Sequence, residues 1–221
     1  MTVLQPAPCA GRPLVTEKTL HCRSTDGTPL ALHQFTPSMR TAQNTPPTQP
    51  ANAATLSINP GRLGILGVHA GGTLVLAAAM LLRNARQPRL AKQLVLVAPW
   101  LDDRSRTEGM GRVLTWTAEV NAWAWELYMD NVMARYGNVE EVVAPGRAAN
   151  VAGLPRMYID AGEFDHSLWD CARFVQRVRD AGGEARLHMY KGVPHAFEWE
   201  APTAEVTMTA MNNRVDVFRN L

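Results

Sequence analysis

Gly67-Val68-His69-Ala70-Gly71-Gly72 decides how the rest of this 221-residue chain reads. Arg62-Leu63-Gly64-Ile65-Leu66 precedes it as a short apolar segment. Thr73 to Leu82 follows as an Ala/Leu run of good helix formers. Strand, glycine-flanked turn and helix are the context in which a G-x-S-x-G elbow presents a nucleophile at the tip of a tight bend. The pattern takes serine at its centre, and this chain has His69 there. Gly67, Ala70 and Gly71 complete the elbow. The N–H of Ala70, after the central position, is the one available to a developing oxyanion.

Downstream, strand and helix patterns alternate. Lys92 to Ala98 is a nearly continuous apolar run, as expected of a strand buried on both faces of a parallel sheet. It ends at the polar loop Pro99-Trp100-Leu101-Asp102-Asp103-Arg104. Residues 111–136 read as a helix crowded with Trp116, Trp123, Trp125 and Tyr128, within a segment, 104–150, expected to form a small helical cap or lid. Leu154 to Ala161 is a second buried strand, and Gly162 to Ser167 is the loop after it. Leu168 to Ala181 is an amphipathic helix stopped by Gly182-Gly183. Ala185 to Tyr190 alternates as an outer strand does, Lys191 to Glu198 is a loop, and a last helix runs from about Thr203. This order predicts an α/β fold, a three-layer sandwich around a mostly parallel sheet, in one domain spanning 1–221.

Upstream, Leu20-His21-Cys22-Arg23 and Leu30 to Phe35 flank Asp26-Gly27, a good hairpin turn. His21 and His33 are expected at surface positions of those strands. Residues 37–55 are dominated by Pro, Thr and Asn and read as a flexible linker with almost nothing to bury.

Composition removes several function classes. The chain is 46% apolar and 19% charged with a net charge of +2, and no Lys/Arg run would track a phosphate backbone, so nucleic acid is not an expected partner. The longest apolar run, Leu74 to Leu82, is too short to span a bilayer. The first residues lack a basic stretch followed by an apolar one, so no signal peptide is expected. Three widely spaced cysteines, Cys9, Cys22 and Cys171, make neither a disulfide framework nor a zinc pattern, which points to reduced thiols in the cytoplasm.

The chemistry-bearing residues sit on three loops at strand ends, in the order His69, Asp165, His195. Nucleophile, acid and histidine follow one another in that order in the Ser-Asp-His arrangement of α/β hydrolases. There the acid fixes the tautomer of the imidazole, and the imidazole moves the nucleophile's proton to the leaving group.

From Leu56 onward the chain resembles the hormone-sensitive-lipase-like branch of the α/β-hydrolases, the fold-3 carboxylesterases. The matching stretches are Ile58-Asn59-Pro60-Gly61-Arg62 into the elbow, Ala98 to Asp103, Leu154 to Asp165, and His188 to Glu198; Asp26-Gly27-Thr28-Pro29-Leu30 looks like the family's opening hairpin. The resemblance implies an ester hydrolase with Asp165 as triad acid, His195 as triad histidine and His69 at the serine position. It also implies no cofactor and no metal. Two features depart from the family. His69 replaces serine. The His-Gly-Gly-Gly segment that supplies oxyanion N–H groups, with its strands and helices, has no counterpart between hairpin and elbow. Losing one such donor costs about 2.7–4 kcal/mol in the barrier. The elbow strand then lacks neighbours and stands as an edge, through which a homodimer is expected.

Several functions stay open on these residues: an ester hydrolase with an unusual or water nucleophile acting on a small ester, an inactive homologue that serves as a binding or scaffold protein or is the shortened product of an altered gene, and a lyase or dehydratase that uses His69 and His195 as proton carriers on a carbonyl substrate. A two-histidine, one-carboxylate metal set of His69, His195 and Asp165 has no local ligand spacing behind it.

Overall fold

The computed structural model describes residues 15–23, 27–37, 59–86, 91–105, 116–136 and 140–221. Apart from Pro37, the segment expected as a linker lies outside them. The chain divides into two compact units, Met1–Pro47 and Thr48–Leu221.

The first unit is an antiparallel hairpin of β1 (Val15–Arg23) and β2 (Pro29–Pro37), paired from Val15↔Pro37 to Arg23↔Pro29. The strands are longer than their apolar positions suggest, because backbone pairing continues past them through Thr16↔Thr36 and Glu17↔Phe35. Gly27 takes φ 85° in the turn, which glycine adopts without steric cost. His21 is exposed, as expected.

The second unit holds a four-stranded sheet in the order β3-β4-β5-β6, all parallel: β3 Gly64–Val68, β4 Gln93–Val97, β5 Arg156–Gly162 and β6 Ala185–Tyr190. Its helices are α1 (Ala70–Asn84), α2 (Ala118–Tyr136), α3 (Glu140–Val143), α4 (Leu168–Asp180), α5 (Phe197–Glu200) and α6 (Glu205–Arg219). The two central strands carry the unbroken apolar runs, and every residue of β4 is buried. Leu94, Leu96, Met157 and Ile159 face one side of the sheet, where Leu76 and Met80 of α1 and Phe174 and Val178 of α4 close over them as the main core. On the opposite face Arg214 of α6 pairs with Asp160 of β5. Helix α5 was not expected; it is four residues long and opens at Ala196, which has φ 57°, so it carries no periodic signal.

β3 is an edge strand among the described residues, as the short segment before the elbow implies. Its side chains show it: Leu66 is 47% and Val68 43% exposed.

Candidate active site

His69 joins β3 to α1 with φ 50° and ψ −118°. A non-glycine residue held there costs on the order of 1–3 kcal/mol, and persists only where its surroundings fix it. Here the His69 N–H donates to the Val97 carbonyl at 2.8 Å. Its own carbonyl accepts from the N–H groups of Gly72 (2.9 Å), Thr73 (3.4 Å) and Trp100 (3.3 Å). The turn depends on two glycines. A Cβ on Gly67 would lie 2.6 Å from the Gly71 carbonyl oxygen, and one on Gly72 would lie 2.8 Å from the Pro99 Cβ. A Cβ on Gly71 would meet nothing within 4 Å, so packing does not demand glycine at that elbow position. Ala70 opens α1, so its N–H is among the first-turn amides that have no partner within the helix.

The imidazole of His69 is enclosed by rings. Trp100 stacks on it with centroids 5.5 Å apart, the Trp116 ring meets it at 4.6 Å, and the His195 ring lies 4.5 Å away at 63°. Burial disfavours the imidazolium, and the adjacent His195 disfavours it further. Asp165 opposes both weakly, and the His69 pKa falls to about 4. At neutral pH position 69 therefore presents an uncharged imidazole.

Behind it, His195 Nδ1 is 2.8 Å from an Asp165 carboxylate oxygen. Asp165 is 1% exposed. Its other oxygen accepts from the Ser167 N–H and the Ser167 hydroxyl, both at 2.8 Å. Burial pushes this carboxyl up. The hydrogen bond and charge of His195 and the two Ser167 donors outweigh that and hold it below the ordinary carboxylate value. The carboxylate thus stays ionised, orients the ring and leaves Nε2 as the edge available for proton transfer.

The two loops that carry this pair are laced together. The Glu163 N–H donates to the Tyr190 carbonyl at 2.8 Å and the Phe164 N–H to the Val193 carbonyl at 3.0 Å. The Gly192 N–H donates to a Glu163 carboxylate oxygen at 2.8 Å. Such closeness requires Gly162, where a Cβ would stand 2.4 Å from the Val193 carbonyl oxygen. The role of Gly162 exists only once the two loops meet, and that of Ser167 is local, two residues from the carboxylate it supports.

His69, Asp165, His195 and Trp116 line one cleft of about 610 Å³, whose walls continue along the open side of β3 through Leu66 and Val68 to Met211, Val215 and Phe218. Trp125 of α2 is buried against Trp100, and the Trp100 Nε1 donates to Asn121 at 2.6 Å. Trp116, just before the helix, reaches the cleft. Among the described residues no group of three or more His, Cys, Asp and Glu side chains is placed to hold a metal ion.

The sequence model of the alpha/beta hydrolase fold family matches residues 29–199, which include the elbow, the Asp165 loop and the His195 loop. The chain belongs to this family. Esterase LipI of Mycobacterium tuberculosis is 26% identical to it over 166 residues, covering 72% of this chain and 50% of that protein. The hydrolase-fold chain thus spans about half the length of the curated relative it matches. Among solved structures, a bacterial heroin esterase superposes with a TM-score of 0.79 at 21% identity, over 93% of this chain and 84% of its own. Esterase LipW of Mycobacterium marinum gives 0.67 at 24% identity, over 76% of this chain and 52% of its own. At such identities these structures show the shared fold.

One further feature of this α/β hydrolase lies in the cleft wall. Arg214 of α6 donates from Nε and Nη2 to both Asp160 oxygens at 2.7 and 2.8 Å, and from Nη2 to Glu198. Burial would lower the guanidinium pKa, but the two carboxylates outweigh it and raise it. Asp160 is five residues before Asp165 and Glu198 three after His195, so this buried triad ties α6 to both loop-bearing segments.

Proposed function

We propose that this chain is a carboxylesterase-type α/β hydrolase in which serine-type ester hydrolysis is lost and binding of a small apolar ester or carbonyl compound is kept. The observation that carries the reading is the neutral imidazole of His69, held by Trp100, Trp116 and His195 at the tip of the elbow, where the attacking hydroxyl of an esterase would stand. Removing the nucleophile from a serine hydrolase forfeits most of its rate. The apolar cleft beside it supports binding of an acyl group. The test is saturable hydrolysis of p-nitrophenyl butyrate, set against quenching of Trp116 fluorescence by a non-cleavable ketone isostere. Quenching that saturates, without turnover, is the expected result; saturable turnover that disappears in His195→Ala contradicts it.

A second reading rests on the intact 2.8 Å contact between His195 and Asp165. His195 acts as a general base on water or on a carbon acid next to a carbonyl, with no acyl-enzyme. Solvent-deuterium exchange into a bound ketone, abolished by Asp165→Asn, distinguishes it. His69 is a poor partner in that chemistry, since a group with a pKa of about 4 is neither a strong base nor a protonated acid at neutral pH. The reading includes self-association through the open edge of β3 and a cytoplasmic setting, where Cys171, a buried free thiol, remains reduced.

A further inference from the structure

At the end of the sheet opposite the His69 cleft, the structure forms a second cavity, of about 730 Å³ and open to solvent, at the starts of β4, β5 and β6 and under the last turns of α6. Register places its charged groups. Tyr158 pairs with Arg186 and Asp160 with His188, so Arg156, Tyr158, Arg186 and His188 share the sheet face that looks toward α6, with Gln93 beside Arg156 on β4. Arg179 reaches the same cavity from the end of α4, and its Nε donates to the Ala185 carbonyl at 2.8 Å.

Three guanidinium groups therefore face one space. Neither Arg156 nor Arg186 forms an ion pair among the described residues, and the Nε of Arg156 is buried with no hydrogen-bond partner there. A buried charged donor without an acceptor is strongly unfavourable, which an incoming anion relieves. Two carboxylates also line the cavity. Asp216 is engaged by Arg219 at 2.9 Å, and Glu184 is exposed, so the balance over the three arginines stays positive. Planar guanidinium forks suit a tetrahedral oxyanion, and Asn213, whose amide donates to the Tyr190 hydroxyl at 3.0 Å, forms a neutral part of the wall.

We infer that this cavity is a binding site for phosphate or the phosphate end of a monoester, held by Arg156, Arg186 and Arg179 and separate from the His69 cleft. Such a ligand bridges β5, β6 and α4, and binding to the folded state alone raises the melting temperature.

The experiment is thermal melting and calorimetric titration of the full chain at low ionic strength. Inorganic phosphate and phenyl phosphate are the probes, and chloride at matched ionic strength is the control. A rise of about 2–4 °C is expected once the probe exceeds its Kd roughly fivefold. Arg186→Gln, at an exposed position that leaves folding undisturbed, weakens binding about tenfold to a hundredfold, and Arg156→Gln does the same. Arg173→Gln, an exposed arginine of α4 that does not line the cavity, changes nothing. Tighter binding of phenyl phosphate assigns the site to a monoester, and equal binding to the free ion. Absence of any phosphate effect beyond chloride overturns the inference, as does an effect that Arg186→Gln and Arg156→Gln leave intact in folded protein.

Discussion

Burial and the neighbouring His195 favour the neutral form of the His69 imidazole, and this gives the residue a signature in pH. Its folded pKa of about 4 lies below the unfolded value of 6.5. Between those values the unfolded chain binds the extra proton, so this contribution to stability is complete above pH 6.5 and is lost as pH falls toward 4. It amounts to at most about 3.5 kcal/mol at roughly 1.4 kcal/mol per unit. Urea midpoints at pH 7 and pH 4.5 should separate widely in the native chain and less in His69→Gln. Asp165, whose folded value lies below 3.8, adds a loss confined to still lower pH. His69, Asp165 and His195 were legible because elbow spacing and loop order place them. The roles of Gly162 and Trp116 were not, because each matters through a neighbour far away in sequence, and that of Ser167 was not, because a hydroxyl two residues after an acid carries no motif. Gly162→Ala drives a Cβ against the Val193 carbonyl oxygen and should cost about 1–3 kcal/mol. Its His195 side chain should also show a more solvent-like NMR environment than the native one.

Among the described residues, β3 is an edge strand that follows directly into the candidate site. Its Leu66 and Val68 side chains open onto a groove walled by Met211, Val215 and Phe218. Unpaired backbone groups beside exposed apolar side chains favour pairing with another chain. Sedimentation should show concentration-dependent association that Val68→Lys suppresses; a monomer at all concentrations would argue against the edge as an interface. The parallel strands were readable because burial on both faces leaves unbroken apolar runs, as in Gln93–Val97. Helix α2 shows the limit of that reading. Trp123 is 64% exposed while Trp125 is buried on Trp100, and aromatic content alone does not say which ring turns inward.

At the scale of the whole second unit, Arg214 joins what the fold brings together from distant parts of the chain. It pairs with Asp160, which precedes the Asp165 loop, and with Glu198, which follows His195. Removing one partner of a buried ion pair strands the other charge and typically costs about 3–5 kcal/mol. Arg214→Ala should lose stability of that order in urea unfolding, whereas Arg219→Ala, an exposed pair with Asp216 at 2.9 Å, should lose less than about 1 kcal/mol. The central claim is that a neutral imidazole has taken the place of the nucleophile in front of an intact Asp165–His195 pair. Mass spectrometry after exposure to diethyl p-nitrophenyl phosphate tests it most directly. The native chain should remain unlabelled in the cleft. His69→Ser should gain one diethylphosphoryl group on the new hydroxyl and lose that reaction when His195→Ala is added. A native chain that is labelled in the cleft, or a folded His69→Ser that stays inert, would contradict the account.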